Sequence, residues 1–219
     1  MVTNKEEIDM KKAFTMLELV FVIVVIGILA AAILPSIKST SDSEATIHLQ
    51  SQIRYVQHLA MVNDRFDASN STWMANRWRI EFSGTNNTTY SIVRANINDG
   101  AIGTPIYAKD PLNNTDMKDI NLADKYHITD IAFISASGNV DGSCQGKTSI
   151  SFDHLGRPMV GDINSTTTAY TSANLMKEEC TIAINHNNPD APVLKIGMDT
   201  TSIRLHPETG YAHIIKVGS

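Results

Sequence analysis

The chain has 219 residues, a formal charge of −5 and 42% hydrophobic residues, enough for one domain of ordinary size plus an extension. Its Lys and Arg are scattered through a mildly acidic sequence, which excludes the concentrated basic face of a nucleic-acid-binding protein. Low-complexity tracts and internal repeats are absent from the sequence.

Residues 1–13 set Lys5, Lys11 and Lys12 against Glu6, Glu7 and Asp9, so their removal leaves the side-chain balance unchanged. Met10 offers a second start, with 10–13 as a very short leader and the same mature chain. Residues 14–34 are apolar except for Thr15 and one charge, Glu18. As a helix this run rises about 31 Å at roughly 1.5 Å per residue, enough to span a hydrocarbon core. Lys11 and Lys12 precede it and no basic pair abuts its other end. That asymmetry keeps the N-terminus cytoplasmic and sends the rest of the chain across the membrane.

Three readings compete for the run. A secretory signal peptide has an A-x-A site at Ala30-Ala31-Ala32, but the stretch exceeds the usual h-region of about 7–15 residues and contains Glu18. A plain signal anchor leaves Glu18 as an interfacial acid. The third reading gives Glu18 a partner. A carboxylate at the membrane centre costs on the order of 2.5–3.5 kcal/mol, and less near an interface. Cutting between Ala13 and Phe14 creates an α-amino group four residues before Glu18, on the same helix face. In a bundle of such helices the amine of one subunit can neutralise Glu18 of the next.

The segment Lys11-Lys12-Ala13-Phe14-Thr15-Met16-Leu17-Glu18-Leu19 resembles the processing site of type IV prepilins. That family has a short basic leader, a small residue, an aromatic or Met, then Glu five residues into the mature chain. Ala13 stands where the family usually has Gly. The resemblance implies cleavage after Ala13 and N-methylation of Phe14 by prepilin peptidase, with Glu18 serving assembly. Pro35 matches a position where pilin helices commonly carry proline, and its missing amide hydrogen predicts a kink.

Beyond Pro35, the polar stretch 36–43 predicts a local loosening, after which helical periodicity resumes. Ala45, Leu49, Ile53 (or Gln52), Val56, Ala60 and Asn63 step by three or four, with His48, Gln50, Arg54 and Gln57 pointing elsewhere. The reading is one long helix from about residue 14 to about residue 64. A loop follows at 67–76. Strands are expected at 78–82, 90–95, 127–135, 148–152, 180–185, 193–198, 202–205 and 211–217, with long connections at 96–125 and 161–179. The fold class is α+β: a long N-terminal helix, half transmembrane and half amphipathic, packed on an antiparallel β-sheet domain. The expected parts are a leader at 1–13, a transmembrane or filament-core helix at 14–35, its amphipathic continuation at 36–66, and a periplasmic β-rich domain at 67–219.

Two short segments carry a narrower likeness. Ile150-Ser151-Phe152-Asp153-His154-Leu155-Gly156-Arg157-Pro158 resembles the strand–turn element of GspH/FimT-like minor pseudopilins. Ile203-Arg204-Leu205, followed by Thr209-Gly210-Tyr211-Ala212, resembles their final strands.

Cys144 and Cys180 would face the oxidising periplasm, where a disulfide is favoured over free thiols or half a metal site. Its expected role is to pin the loop 161–179 to the sheet. The seven histidines are dispersed, with neither an HExxH nor a G-x-S-x-G pattern. Asp153-His154 lacks a defined serine partner, so no catalytic residue is assigned. The oxygen-rich stretches 110–119 and 185–190 resemble loops in which some pseudopilins hold calcium, and turn chemistry explains both. No metal and no cofactor is assigned. Asn164 lies in an N-x-[ST] sequence preceded by Asp162, a candidate glycosylation acceptor.

These readings together predict a non-catalytic, minor filament subunit of a type IV pilus, a type II secretion pseudopilus or a DNA-uptake pseudopilus. Its partners would be prepilin peptidase, other pilin or pseudopilin subunits and an inner-membrane assembly platform. It would cross the inner membrane once before entering the filament. The C-terminal region offers only Arg204, Lys216 and nearby histidines to DNA, so nucleic acid is expected to bind weakly at best. The rival reading is a monomeric periplasmic binding module on a plain anchor.

Overall fold

A computed structural model describes residues 15–65, 67, 69, 73–98, 101–160, 174–186 and 200–217. The chain divides into two compact units, Met1–Thr40 and Ser41–Ser219. The first helix, α1 (Met16–Val62), begins in the first unit and ends in the second. Its helical assignment runs through Pro35 and through 36–43, where a loosening was expected. Losing one amide donor removes a single helical hydrogen bond, which a helix of 47 residues can absorb.

In the first unit, every described side chain from Thr15 to Ala30 is exposed. Among the described residues no helix is long and apolar enough to cross a membrane. The described side chains cover the apolar run only as far as Ala30, while its sequence continues to Leu34.

In the second unit, α1 buries Ala45, Leu49, Ile53, Val56 and Ala60, each 5% exposed or less. The expected stripe is therefore the packed face, with Asn63 half-buried at its end. Burying Leu49, Ile53 and Val56 contributes on the order of 6 kcal/mol as an upper bound.

Two antiparallel sheets complete the core. In chain order the strands are β1 (Arg79–Ser83), β2 (Thr89–Arg94), β3 (Ile97–Asn98), β4 (Ala101–Ile102), β5 (Ile106–Tyr107), β6 (Ile120–Asn121), β7 (Ile128–Ser135), β8 (Ser149–Phe152), β9 (Pro158–Val160), β10 (Cys180–His186), β11 (Thr200–Leu205) and β12 (Ala212–Val217). A short helix, α2 (Leu122–Tyr126), precedes β7. One sheet has the order β5-β2-β1-β8-β9, with β6 also paired to β2. The other has the order β12-β11-β10-β7, and β3-β4 form a separate hairpin. Ile80, Phe82, Ile92 and Ile150 from the first sheet and Ile131, Phe133, Ile182 and Ile203 from the second meet α1 in one hydrophobic cluster. The Phe82 and Phe133 rings make an edge contact with centroids 5.2 Å apart.

Local irregularities have local causes. Ile128 and Ile131 are both buried, a spacing of three that a regular strand forbids. The β7–β10 register shifts there, Asn185 facing Asp130 and His186 facing Ile128, so a bulge absorbs Thr129. The β1–β2 turn holds Gly84, Asn86 and Asn87 at positive φ. From it Asn86 donates to the Thr129 carbonyl and Asn87 to the Ile131 carbonyl, each at 3.1 Å, covering the outer edge of β7.

The chain thus has the α+β, pilin-like arrangement of an N-terminal helix followed by antiparallel sheets. Three expectations change. Residues 96–125 are not one long connection but carry β3 to β6 and the start of α2. His127 does not open a strand; at φ 57° it is the left-handed C-cap of α2. Trp73–Asn76, within the expected loop, forms a 3-10 turn. The expected strand at 193–198 lies outside the described residues.

Candidate functional site

The N-terminal end of α1 is built from Thr15. Its hydroxyl accepts the Glu18 amide at 3.3 Å and its carbonyl accepts the Leu19 amide at 3.2 Å. Thr15-Met16-Leu17-Glu18 therefore has the sequence form of a capping box, the local signal that starts the helix here. The helix begins immediately after the expected cut, with Glu18 in its first turn, where a negative charge complements the helix dipole. Ala13 and Phe14 lie outside the described residues. Around Glu18 the surface is apolar on every side, with Leu17, Phe21, Val24 and Ile28 all more than half exposed.

The other end of α1 is held by side chains that lie off the periodic apolar stripe. Gln50 Nε2 and an Arg54 guanidinium nitrogen both donate to the Ala212 carbonyl, at 2.9 and 2.8 Å. Gln57 Nε2 donates to the carbonyls of Gly156 and Thr209, at 2.8 and 2.9 Å. On the opposite flank, Tyr55 donates to the Lys109 carbonyl at 2.8 Å, and His48 Nε2 lies 2.9 Å from the Tyr90 hydroxyl. Burial pushes the His48 imidazole below its usual value, the positive charge of Lys125 lowers it further, and Asp110 opposes both.

The two segments with the narrower likeness are neighbours in space. Asp153, 2% exposed, organises the first turn. Its carboxylate accepts the amides of Leu155 and Arg157, at 3.0 and 2.8 Å, and pairs with Arg157 Nε at 2.7 Å. The β8–β9 and β11–β12 turns converge on Gln57, which bonds to both.

Cys144 and Cys180 form a disulfide, both buried, with a Cα–Cα distance of 5.8 Å. It ties the connection between β7 and β8 to the first residue of β10, directly after the loop 161–179. Asn164 and most of that loop lie outside the described residues. His206, Tyr211 and His213 form a layer of nearly parallel rings, with Glu179 3.1 Å from His206 Nδ1. Among the described residues no group of three or more His, Cys, Asp or Glu could hold a metal ion.

Residues 8–34 match the prokaryotic N-terminal methylation motif. That motif is the prepilin-cleavage signal of type IV pilins and pseudopilins, so residues 8–34 carry the signal that prepilin peptidase recognises for cleavage and N-methylation. No curated protein and no solved structure matches the chain.

Proposed function

We propose that this chain is a non-catalytic, minor subunit of a filament: a type IV pilus, a type II secretion pseudopilus or a DNA-uptake pseudopilus. The observation that carries this reading is the match over residues 8–34 on a capped helix whose apolar surface is exposed on all sides. Prepilin peptidase cuts after Ala13 and methylates Phe14. The helix then anchors the protein in the inner membrane, N-terminus cytoplasmic and sheets periplasmic, until the assembly platform transfers it into the filament. That transfer works because one apolar surface faces either lipid or sister helices, with no charged side chain to desolvate except Glu18. Glu18 meets the Phe14 amine of a neighbouring subunit, which neutralises both and sets the axial register. Contacts of one head-to-tail kind extend without closing.

The minor role rests on the likeness of the β8–β9 and β11–β12 segments to GspH/FimT-like pseudopilins, supported by their convergence on Gln57. Mass spectrometry of the mature N-terminus from membranes tests the whole reading. It should begin at N-methylated Phe14. A chain beginning near Ile33 means ordinary secretion and removes the filament.

A further inference from the structure

The outward face of the six-stranded sheet carries a cleft of about 490 Å³, away from the α1-packed core and unused by the function above. Its floor follows from strand register. Glu81 of β1 pairs with Ser91 of β2 on one side and Ser149 of β8 on the other. Alternation therefore places these three side chains in one row, on the face opposite Ile80, Phe82, Ile92 and Ile150. The row is held in place from below and from the side. Arg79, 6% exposed, holds the Glu81 carboxylate at 2.5 Å, leaving Glu81 itself 30% exposed. The Ser91 hydroxyl accepts the Asp119 amide at 2.8 Å and donates to the Asp119 carboxylate at 3.4 Å. Tyr107, adjoining Val93 in register, makes one wall and Lys147 the other.

The chemistry of this lining narrows its ligand. Glu81 is paired with Arg79 at 2.5 Å, Asp119 is bound to Ser91, and Lys147 adds a positive charge on the facing wall, so the lining mixes both signs and offers an ion no field of a single sign. An apolar molecule would strip water from hydroxyls and carboxylates without replacing their hydrogen bonds. A neutral polyol supplies those bonds, and a pyranose also has a C–H face suited to an aromatic wall. We propose that this cleft binds a neutral saccharide, its hydroxyls on the Glu81–Ser91–Ser149 row and one ring against Tyr107. The volume falls within the range of roughly 300–1,000 Å³ typical of small-ligand sites.

The test uses the full-length protein in a detergent without a glycoside head group, and saturation-transfer NMR with maltotriose, cellotriose and tri-N-acetylchitotriose. At least one sugar should show transfer and titrate with a Kd on the order of 1 mM or tighter. Ser149→Val and Tyr107→Ala, at separate edges of the cleft, should each weaken it by about tenfold with the thermal midpoint near that of the parent. Absence of transfer for all three sugars overturns the proposal. So does unchanged binding in a folded variant of either kind, or a preference for an acidic sugar such as sialyllactose over the neutral three. None of these outcomes depends on cleavage after Ala13, because the cleft lies wholly within the second unit.

Discussion

A Cβ placed on Gly210 would collide with the carbonyl oxygen of Gly156, so the β8–β9 and β11–β12 turns touch backbone to backbone. The same added atom would lie 2.6 Å from Gln57 Nε2 and 3.1 Å from Phe152 Cε1. Gly210 also has φ 64°, a conformation costing an L-residue about 1–2 kcal/mol. Gly210→Ala should therefore destabilise the protein by about 3 kcal/mol. Gly138, at φ 73° with nothing within 4 Å of an added Cβ, isolates the conformational part. Gly138→Ala should cost only about 1 kcal/mol. Urea unfolding of the two variants against the parent checks both, and equal losses would remove the steric argument.

The disulfide closes a sequence separation of 36 residues, for which chain entropy gives about 4 kcal/mol. The Cys144→Ser, Cys180→Ser double variant should lose stability of that order, read as a lower urea midpoint under non-reducing conditions. Because the bond holds the β7–β8 connection, amide exchange should rise first around Ser143 and Gln145, while α1 keeps its protection. Early exchange in α1 would contradict that placement.

His48 gives stability a defined pH dependence. Its folded pKa lies below the ordinary 6.5, chiefly through burial, so the unfolded chain binds the proton more readily. The contribution is complete above about pH 6.5 and is lost as pH falls from there toward the depressed folded value. Thermal unfolding followed from about pH 7.5 to about pH 5 should show a slope that His48→Gln reduces. The groups facing the imidazole are Tyr90, Tyr126, Lys125 and Asp110. Lys125→Met, by removing one of the two causes of the depression, should bring the folded pKa back toward the ordinary value and so reduce the stability lost on acidification, and a larger loss would contradict the assignment.

Glu18→Ala separates a filament subunit from a tethered module. Assembly into pili or pseudopili should fail while membrane levels and N-terminal processing persist. Glu18→Gln should behave like Glu18→Ala if charge neutralisation sets the register, because an amide can accept a hydrogen bond from an ammonium but cannot neutralise its charge. Filaments containing either variant at parental levels would exclude that role.

The sequence made the helix stripe legible because burial of Ala45, Leu49, Ile53, Val56 and Ala60 repeats with the helical period. The strands with apolar alternation, such as β8 and β10, were equally open to reading. Residues 96–125 were not, since β3 to β6 are two-residue strands, too short to express a period. Their pairing is fixed by long-range partners such as Val93 with Tyr107 and Tyr90 with Ile120. The same limit hid the polar clamps. Periodicity separates inside from outside, but Gln50, Arg54 and Gln57 lie at the boundary, where long side chains reach carbonyls distant in sequence. That the β8–β9 and β11–β12 turns meet at Gln57 needed the fold, because the two turns are about fifty residues apart in sequence.

The asparagine pair at the β1–β2 turn has a consequence for crowding. A strand from another molecule aligns on β7 only by bonding to its outward carbonyls, and Asn86 and Asn87 already occupy those of Thr129 and Ile131. Those two side chains therefore blunt this edge of β7 against pairing with a strand of another molecule.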